Sequence, residues 1–541
     1  MTTFAIAFDI GTSGIRAQVI EQQSQEIIAT VITARHPIPG ANVIDHLHFA
    51  LEMGINSTQR ILVQCINQII KSFPIDHKQI MRMSVCGNPI QLSLFQGIEI
   101  RDLAFAGKQK QQALGISTVN REALITNAGQ IKYLNLSDQC EVIIPPAVQH
   151  EIGADALAMI IQSNMLESKE TTLITDYGTN AEMALLHNGC IYSGSTAAGP
   201  ALEGQQINSG MLAAPGAITD ILEEPPYYRL RVLDAEMNTV NGPLIEFNTN
   251  TVIDPHSEYP IRGITGTGTI AAIFQAMSKG LIHKAQINTP DNKLHLGSNI
   301  TFNNHDFHEA GKAIGAIRAG HISLCNAAGI SLSDISVAYM SGASGTYMDA
   351  HKAQQLGLIP TQIKKVYQIG NTSLAMAKDL LTDSSQLQQM TELATQLQEN
   401  HCMFARSDVF KKVFMLELAY WTEGMPWSLY QNFLKKYQLP AIAEELSQAE
   451  IVQTVTRDIN TLGSHGLTTL TNIGQKLDAH MNGCLACQSC TVECPEQAIK
   501  LSNTNGVATI TLDQSLCNGI ACKRCEQICS DQYFKLSQFF K

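Results

Sequence analysis

The chain is short of positive charge, with 36 Lys and Arg against 48 Asp and Glu and a formal net charge of −12 over 541 residues. Nucleic acid and anionic membrane surfaces both demand a basic footprint, so neither is expected as a partner. Long apolar runs are missing as well. No window approaches the roughly 20 apolar residues that a membrane helix needs. The opening segment MTTFAIAFDIG has no basic stretch, and Asp9 interrupts its apolar run, so it reads as a strand and not as a secretion signal. A cytoplasmic protein is expected. No G-x-G-x-x-G follows the first strand, which argues against a nicotinamide-binding unit. Six of the 14 cysteines (Cys65, Cys86, Cys140, Cys190, Cys325 and Cys402) are scattered singly in apolar stretches, as reduced core thiols are. A hydrophobic content of 45% and a charged content of 16% are ordinary for a globular protein, and the length suits three or four domains.

The other eight cysteines crowd into Cys484 to Cys529. The first four, in NGCLACQSCTVECP, are Cys484, Cys487, Cys490 and Cys494, followed by Pro495. The second four, in LCNGIACKRCEQICS, are Cys517, Cys522, Cys525 and Cys529, followed by Ser530. Such density also suits a disulfide framework or paired zinc knuckles. The absence of a secretion signal speaks against the first, and three-residue steps closed by Cys-Pro speak against the second. The first run resembles the C-x2-C-x2-C-x3-C-P run of bacterial ferredoxins, in which three thiolates hold one cubane and the fourth cysteine reaches the other. The resemblance implies two 4Fe-4S clusters, one on Cys484, Cys487, Cys490 and Cys529, the other on Cys517, Cys522, Cys525 and Cys494. In this reading each fourth cysteine begins a helix. The second run departs from the pattern in its four-residue first gap and in Ser530.

Near the start, FAIAFDIGTSGIRAQV (Phe4 to Val19) reads as a hairpin whose turn carries Asp9, Gly11, Thr12, Ser13 and Gly14. Small residues let backbone N–H groups approach an anion, and a carboxylate at the strand end suits a hydrated magnesium ion. The pattern returns 167 residues later in TTLITDYGTNAEMALL (Thr171 to Leu186), with Asp176, Gly178, Thr179 and Asn180 in the matching places. That is an internal duplication. Two such hairpins facing one another would clasp a polyphosphate. In VAYMSGASGTYMDAHKAQQLGLIP (Val337 to Pro360) a strand runs into a glycine-rich turn and a helix, where Gly342 and Gly345 would let the backbone pass close to an adenine or ribose.

These three segments resemble the phosphate and adenosine motifs of the superfamily of acetate and sugar kinases, heat-shock chaperones and actin. The resemblance implies an α/β protein with duplicated ribonuclease H-like lobes over residues 1–165 and 166–380, binding ATP with Mg. A helical connector would span 381–478, built on Leu387, Met390, Leu393, Ala394 and Leu397 and on Phe410, Val413, Phe414, Leu416 and Leu418. A small α+β double-cluster ferredoxin domain would fill 479–541. The segments from Ala198 to Ile218, Gly263 to Ile273, Ala310 to Gly320 and Gly370 to Ala377 look like the reductive activators of corrinoid proteins. The stretch RHPIPGANVIDHLHFA (Arg35 to Ala50), together with the C-terminal cysteines, resembles the methylamine-type activases of methylotrophic methanogens and their bacterial relatives. Relatives in acetogens carry a plant-type 2Fe-2S domain at the N-terminus, where this chain opens on its phosphate hairpin.

What the resemblance implies is an ATP-dependent oxidoreductase that reduces inactive Co(II) to Co(I) on a corrinoid methyl-carrier protein, drawing on a low-potential electron donor. Asp9 and Asp176 would be its catalytic carboxylates. Three rivals share the motifs: a small-molecule kinase fused to a ferredoxin domain, an activator of a radical dehydratase, and a non-catalytic nucleotide-gated binding module. His36, Asp45, His46 and His48 lack a firm ligand spacing and read as a structured loop. Met81, Met83, Met211, Met340 and Met348 read as core fillers.

Overall fold

A computed structural model describes the chain apart from residues 1, 41, 106–107, 117–118, 148–151, 198–199, 205, 250–251, 255–259, 384, 444–445, 475, 495, 505–506, 515, 520–521, 530–532 and 540–541. Pro495 and Ser530, which bear on the ferredoxin pattern, and Ala198, Gly199 and Gln205 of the quoted activator segment lie outside the described residues. The chain divides into two compact units. The first comprises residues 1–150, 377–387 and 462–541, and the second comprises 151–376 and 388–461.

The first unit is built on a seven-stranded sheet in the order Leu467–Leu470, Ile27–Thr33, Ile15–Glu21, Phe4–Ile10, Ile80–Gly87, Glu141–Ile144 and Leu124–Asn127. Phe4–Ile10 is buried along its whole length. A strand with an apolar residue at nearly every position belongs in a sheet covered on both faces. It pairs antiparallel with Ile15–Glu21 and parallel with Ile80–Gly87. The helix Ile55–Ser72 buries Ile61, Leu62, Cys65, Ile66, Ile69 and Ile70 at helical spacing.

The second unit repeats the plan with six strands in the order Glu450–Gln453, Lys365–Gln368, Val337–Ser341, Thr172–Asp176, Ala181–His187 and Cys190–Thr196. Again an antiparallel meander of three strands is continued by parallel ones on the far side of its first strand. A smaller four-stranded sheet, Thr239–Ile245, Tyr227–Leu233, Ala217–Glu224 and Gly263–Ile264, adjoins it. The long helix Asn304–Ala328 is closed at its start by a reciprocal cap between Asn303 and Asp306. Gly311 and Gly315 bring it against Asp408–Glu423 so closely that an added Cβ would lie 2.6 Å from Trp421 and from Glu417. Glu417, wholly buried, is matched there by Arg318 at 3.2 Å and by Trp421 and Tyr430.

The connector expected over 381–478 is not a body of its own. Its helices Ser385–Leu397, Asp408–Glu423 and Trp427–Lys436 do form. Met390, Leu393, Ala394, Leu397, Val413 and Leu416 are buried in them, because amphipathic helices cover apolar surface wherever it is offered. The polar residues beyond these helices supply two parallel edge strands. Glu450–Gln453 completes the second unit's sheet, and Leu467–Leu470 completes the first unit's. The C-terminal region is a three-stranded antiparallel sheet, Lys476–Met481, Val507–Asp513 and Ile499–Thr504, flanked by the two cysteine runs.

The scattered cysteines divide. Cys65, Cys86, Cys140 and Cys325 are buried, whereas Cys190 opens an edge strand and is exposed, and Cys402 is half-buried. Met83, Met340 and Met348 are in the core, and Met81 and Met211 are half-buried. Among the described residues no helix is long and apolar enough to cross a membrane.

Candidate functional site

In the first unit, Asp9 is the penultimate residue of the buried strand Phe4–Ile10 and is itself buried. Its Oδ2 lies 3.7 Å from Arg16 Nη1. The turn that follows is tight, since a Cβ on Gly11 would sit 3.0 Å from the Gly14 carbonyl. Thr12 Oγ1 accepts a hydrogen bond from Asn88 Nδ2 at 3.2 Å, and Ser13 is buried. Asn88 is also the N-cap of the helix Pro89–Gln96, where its Oδ1 accepts from the Ile90 and Gln91 amides.

The second unit carries the richer cluster. Parallel pairing sets Ser341 opposite Asp176, and Ser341 Oγ donates to Asp176 Oδ2 at 3.1 Å. Gly342, at φ +81°, has no room for a side chain, because a Cβ would come within 2.5 Å of Asp176 Oδ1. Gly178 stands between two carboxylates. A Cβ there would lie 3.7 Å from Asp176 Oδ1 and 3.8 Å from Glu203 Oε1. Thr179 Oγ1 donates to Glu203 Oε2. Glu182, on the returning strand Ala181–His187, is buried, and burial first, then Asp155 and Asp176, pushes its carboxyl far above the usual range.

Asp176, Gly178, Thr179 and Gly342 therefore come together, and Asn180 continues the same half-exposed turn. Gly345 does not join them. Its surroundings are the Met340 backbone and the Gln368 side chain, which accounts for it as a packing residue of the strand-to-helix turn. Glu203 was not anticipated from the hairpin motif, since it arrives from a 3-10 turn, Pro200–Glu203, beyond the third strand of the meander. Its one signal was its place within the segment Ala198 to Ile218.

The cysteines sort into two sets. Burial raises the Cys490 thiol, and the neighbours that raise it further are Cys484, Cys487 and Cys529. Burial raises Cys517 to about 11, with Cys494 and Cys522 adding to it, and Cys525 to about 12, with Cys517 and Cys494 adding to it. Cys490 thus has Cys484, Cys487 and Cys529 for neighbours, while Cys517 and Cys525 share Cys494 and Cys522 lies beside Cys517. The third cysteine of each run sits inside a single helical turn, Ser489–Val492 or Arg524–Gln527, and the fourth lies just beyond it. The fourth cysteines thus follow short helices instead of beginning them. The turns are paid for in backbone strain: Ala486, Gln488 and Lys523 are left-handed, at a cost of about 1–3 kcal/mol each. The Gly519 amide points at Cys517 Sγ at 3.2 Å and the Ala498 amide at Cys494 Sγ at 3.3 Å, donors that favour an anionic sulfur. Among the described residues no three Cys, His, Asp or Glu side chains converge tightly enough for a single metal ion. A cubane spaces its thiolates around a four-iron cage, and two sets of four soft donors in strained, amide-lined loops fit that group.

The segment Arg35 to Ala50 is only partly a loop. Asn42 caps the helix Val43–Met53, which carries Asp45, His46 and His48. The rings of His36 and His46 stack with centroids 4.3 Å apart and are buried, while His48 is exposed. Burial pulls His46 down to about 3.

Residues 4–168 match the family model described as the RACo middle region, and residues 170–431 match the one described as the C-terminal domain of RACo, the ASKHA domain. The chain is 45% identical over 519 residues, 95% of both chains, to a Co(II) methylated amine-specific corrinoid protein reductase of Methanosarcina barkeri. It is 27% identical to the corrinoid activation enzyme RamQ of Eubacterium limosum, over 66% of this chain and 60% of the relative. A solved structure of a reductive activator for a corrinoid iron–sulfur protein superimposes with a TM-score of 0.63 at 22% identity, covering 77% of this chain and 66% of that one. The last likeness speaks to the fold.

Proposed function

This chain belongs to the family of reductive activators of corrinoid proteins, and from that membership we propose that it is an ATP-dependent reductase that returns a methylamine-type corrinoid protein from Co(II) to Co(I). The observation that carries the reading is the union in one chain of duplicated carboxylate-bearing hairpins with eight thiols in two sets of four. Cys484, Cys487, Cys490 and Cys529 hold one 4Fe-4S cluster, and Cys494, Cys517, Cys522 and Cys525 hold the other. Bound there, such clusters supply one-electron transfer at low potential.

The residues of the hairpins serve the nucleotide. Gly11 and Gly178 leave the backbone bare for phosphate oxygens, and Thr12, Ser13, Thr179 and Asn180 offer hydroxyls and an amide. In each hairpin one carboxylate, Asp9 or Asp176, would serve a hydrated magnesium ion, and Gly342 leaves the backbone bare toward the adenosine side. Phosphoryl transfer to water rests on positioning and charge neutralisation. The overall balance is one electron from the donor to cobalt, with ATP and water giving ADP and phosphate.

An uphill electron explains why ATP is needed. Every ~59 mV that the donor falls short is a factor of ten in the one-electron equilibrium. Nucleotide closes that gap only if it binds two conformations of the complex differently. The work is done in the cytoplasm, where a low-potential donor is at hand. The test is anaerobic absorbance spectroscopy of a Co(II) corrinoid protein with this protein, a reductant, and ATP present or absent. Co(I) should form only with ATP and intact clusters. A phosphorylated small molecule formed without reductant would replace this reading with the kinase.

A further inference from the structure

Residues 34–52 lie between two sites that the proposed function uses separately. The strand Ile27–Thr33 ends at Thr33, whose Oγ1 accepts from the amide of Ile15 at 2.8 Å, immediately past the phosphate turn. Its other edge takes Leu467–Leu470, with the Ala34 amide on the Leu470 carbonyl at 2.9 Å, and that strand leads directly into the cysteine region. One residue on, Arg35 Nη2 donates to the backbone carbonyl of Cys517 at 3.1 Å. The loop after Cys517 presses on the same segment. Gly519 is left-handed at φ +62°, and a Cβ there would meet Pro39 at 2.5 Å and Phe49 at 3.5 Å. Lys523 Nζ reaches both carboxylate oxygens of Glu52, at 2.6 and 2.8 Å.

A second route runs underneath. Thr12 of the phosphate turn is held by Asn88, and Asn88 caps the helix Pro89–Gln96. From that helix Gln91 Nε2 lies 2.7 Å from His46 Nδ1. His46 stacks on His36, the neighbour of Arg35 in the chain. Segment 34–52 is therefore keyed to the phosphate turn at Ile15 and at Thr12, and to the second cysteine set at Cys517, Gly519 and Lys523. Close packing transmits a displacement at one end to the other, since a dense interior cannot absorb it.

We propose that residues 34–52 are a coupling strap, with Arg35 as its positioning residue, through which nucleotide on the Asp9 hairpin shifts the reduction potential of the cluster on Cys494, Cys517, Cys522 and Cys525. This rests on the proposed ATP and cluster sites. A half-buried guanidinium beside a ligand cysteine favours the reduced, more negative cluster, and its field in a low-dielectric setting changes steeply with small movements. The contacts of the strap at Arg35, Pro39 and Glu52 all fall on the loop of the second set, so that cluster is the one expected to respond.

The experiment is anaerobic redox titration of the full chain followed by electron paramagnetic resonance, without nucleotide, with MgADP and with a non-hydrolysable ATP analogue. One cluster of the wild type should change its potential with nucleotide. Arg35→Gln keeps a donor for the Cys517 carbonyl and removes the charge. It should lower that potential by about tenfold in the reduced-to-oxidised ratio, ~59 mV for one electron, and abolish the nucleotide dependence. Arg35→Lys should recover most of the potential. If Arg35→Gln retains wild-type potentials and the wild-type response to nucleotide, or if neither wild-type potential responds, the strap is refuted. Wild-type protein lacking iron or ATP turnover would refute the proposed function, and the strap with it.

Discussion

Gly342→Ala is the substitution whose effect follows most directly from the geometry around Asp176. Gly342 sits at φ +81°, so any side chain there costs about 1–2 kcal/mol in backbone strain. The new Cβ would also lie 2.5, 3.3 and 3.2 Å from Oδ1, Oδ2 and Cγ of Asp176. To relieve even the closest approach to 3.0 Å the carboxylate must retreat by about half an ångström, which disturbs its bond from Ser341 Oγ. A misplacement of about 1 Å costs up to about 10²-fold in rate, so ATP hydrolysis should fall about ten- to a hundredfold. The strain should lower the Tm of the second unit by about 2–8 °C. Gly329→Ala is the control. It is left-handed at φ +69° with nothing within 4 Å, so it carries the backbone cost without touching the site. Steady-state ATP hydrolysis and a thermal melt on both variants decide the matter. Equal turnover in the two would show that the Asp176 carboxylate does not need its present position, and the catalytic role assigned to it would fall.

Two further outcomes are expected. Cys487→Ala should leave about four iron per chain of about eight and remove one reducible signal, and an undiminished iron content by chemical assay would contradict the assignment of that thiol. His321, held by Thr175 Oγ1 at 2.9 Å, is pulled by burial from 6.5 to about 3, so below pH 6.5 the unfolded chain binds a proton that the folded chain does not. Stability should be full above about pH 6.5 and decline toward pH 3 by on the order of 1.4 kcal/mol per pH unit from this residue. Urea unfolding from pH 7 to 5 should show a shallower decline in His321→Gln, and an unchanged slope would mean that the imidazole is already protonated in the fold.

The sequence by itself determined what is local. A strand, a turn of small residues and a returning strand lie within 16 residues, so both hairpins were legible from apolar pattern and turn chemistry, and their recurrence pointed to duplicated lobes. Cysteine spacing is local in the same way, because two-residue gaps constrain thiols whatever surrounds them. The apolar spacing of the helices in 385–436 was equally plain, but periodicity says only that a face will be covered and not by what.

Tertiary structure decided the pairings that join distant stretches of chain. Thr30 meets the Leu462 carbonyl, Glu450–Gln453 closes one sheet and Leu467–Leu470 the other, because edge strands take whichever open edge the fold brings near, and polar sequences give no sign of which. Glu203 enters the second hairpin from a turn that no hairpin motif contains, and its closeness to Thr179 depends on the meander folding back. Arg35 and Cys517 lie 482 residues apart in the chain, and neither carries a mark of the other. A side-chain contact across that distance is specified by the packing of the whole first unit, through the sheet that sets the end of Ile27–Thr33 beside the strand entering the cysteine region.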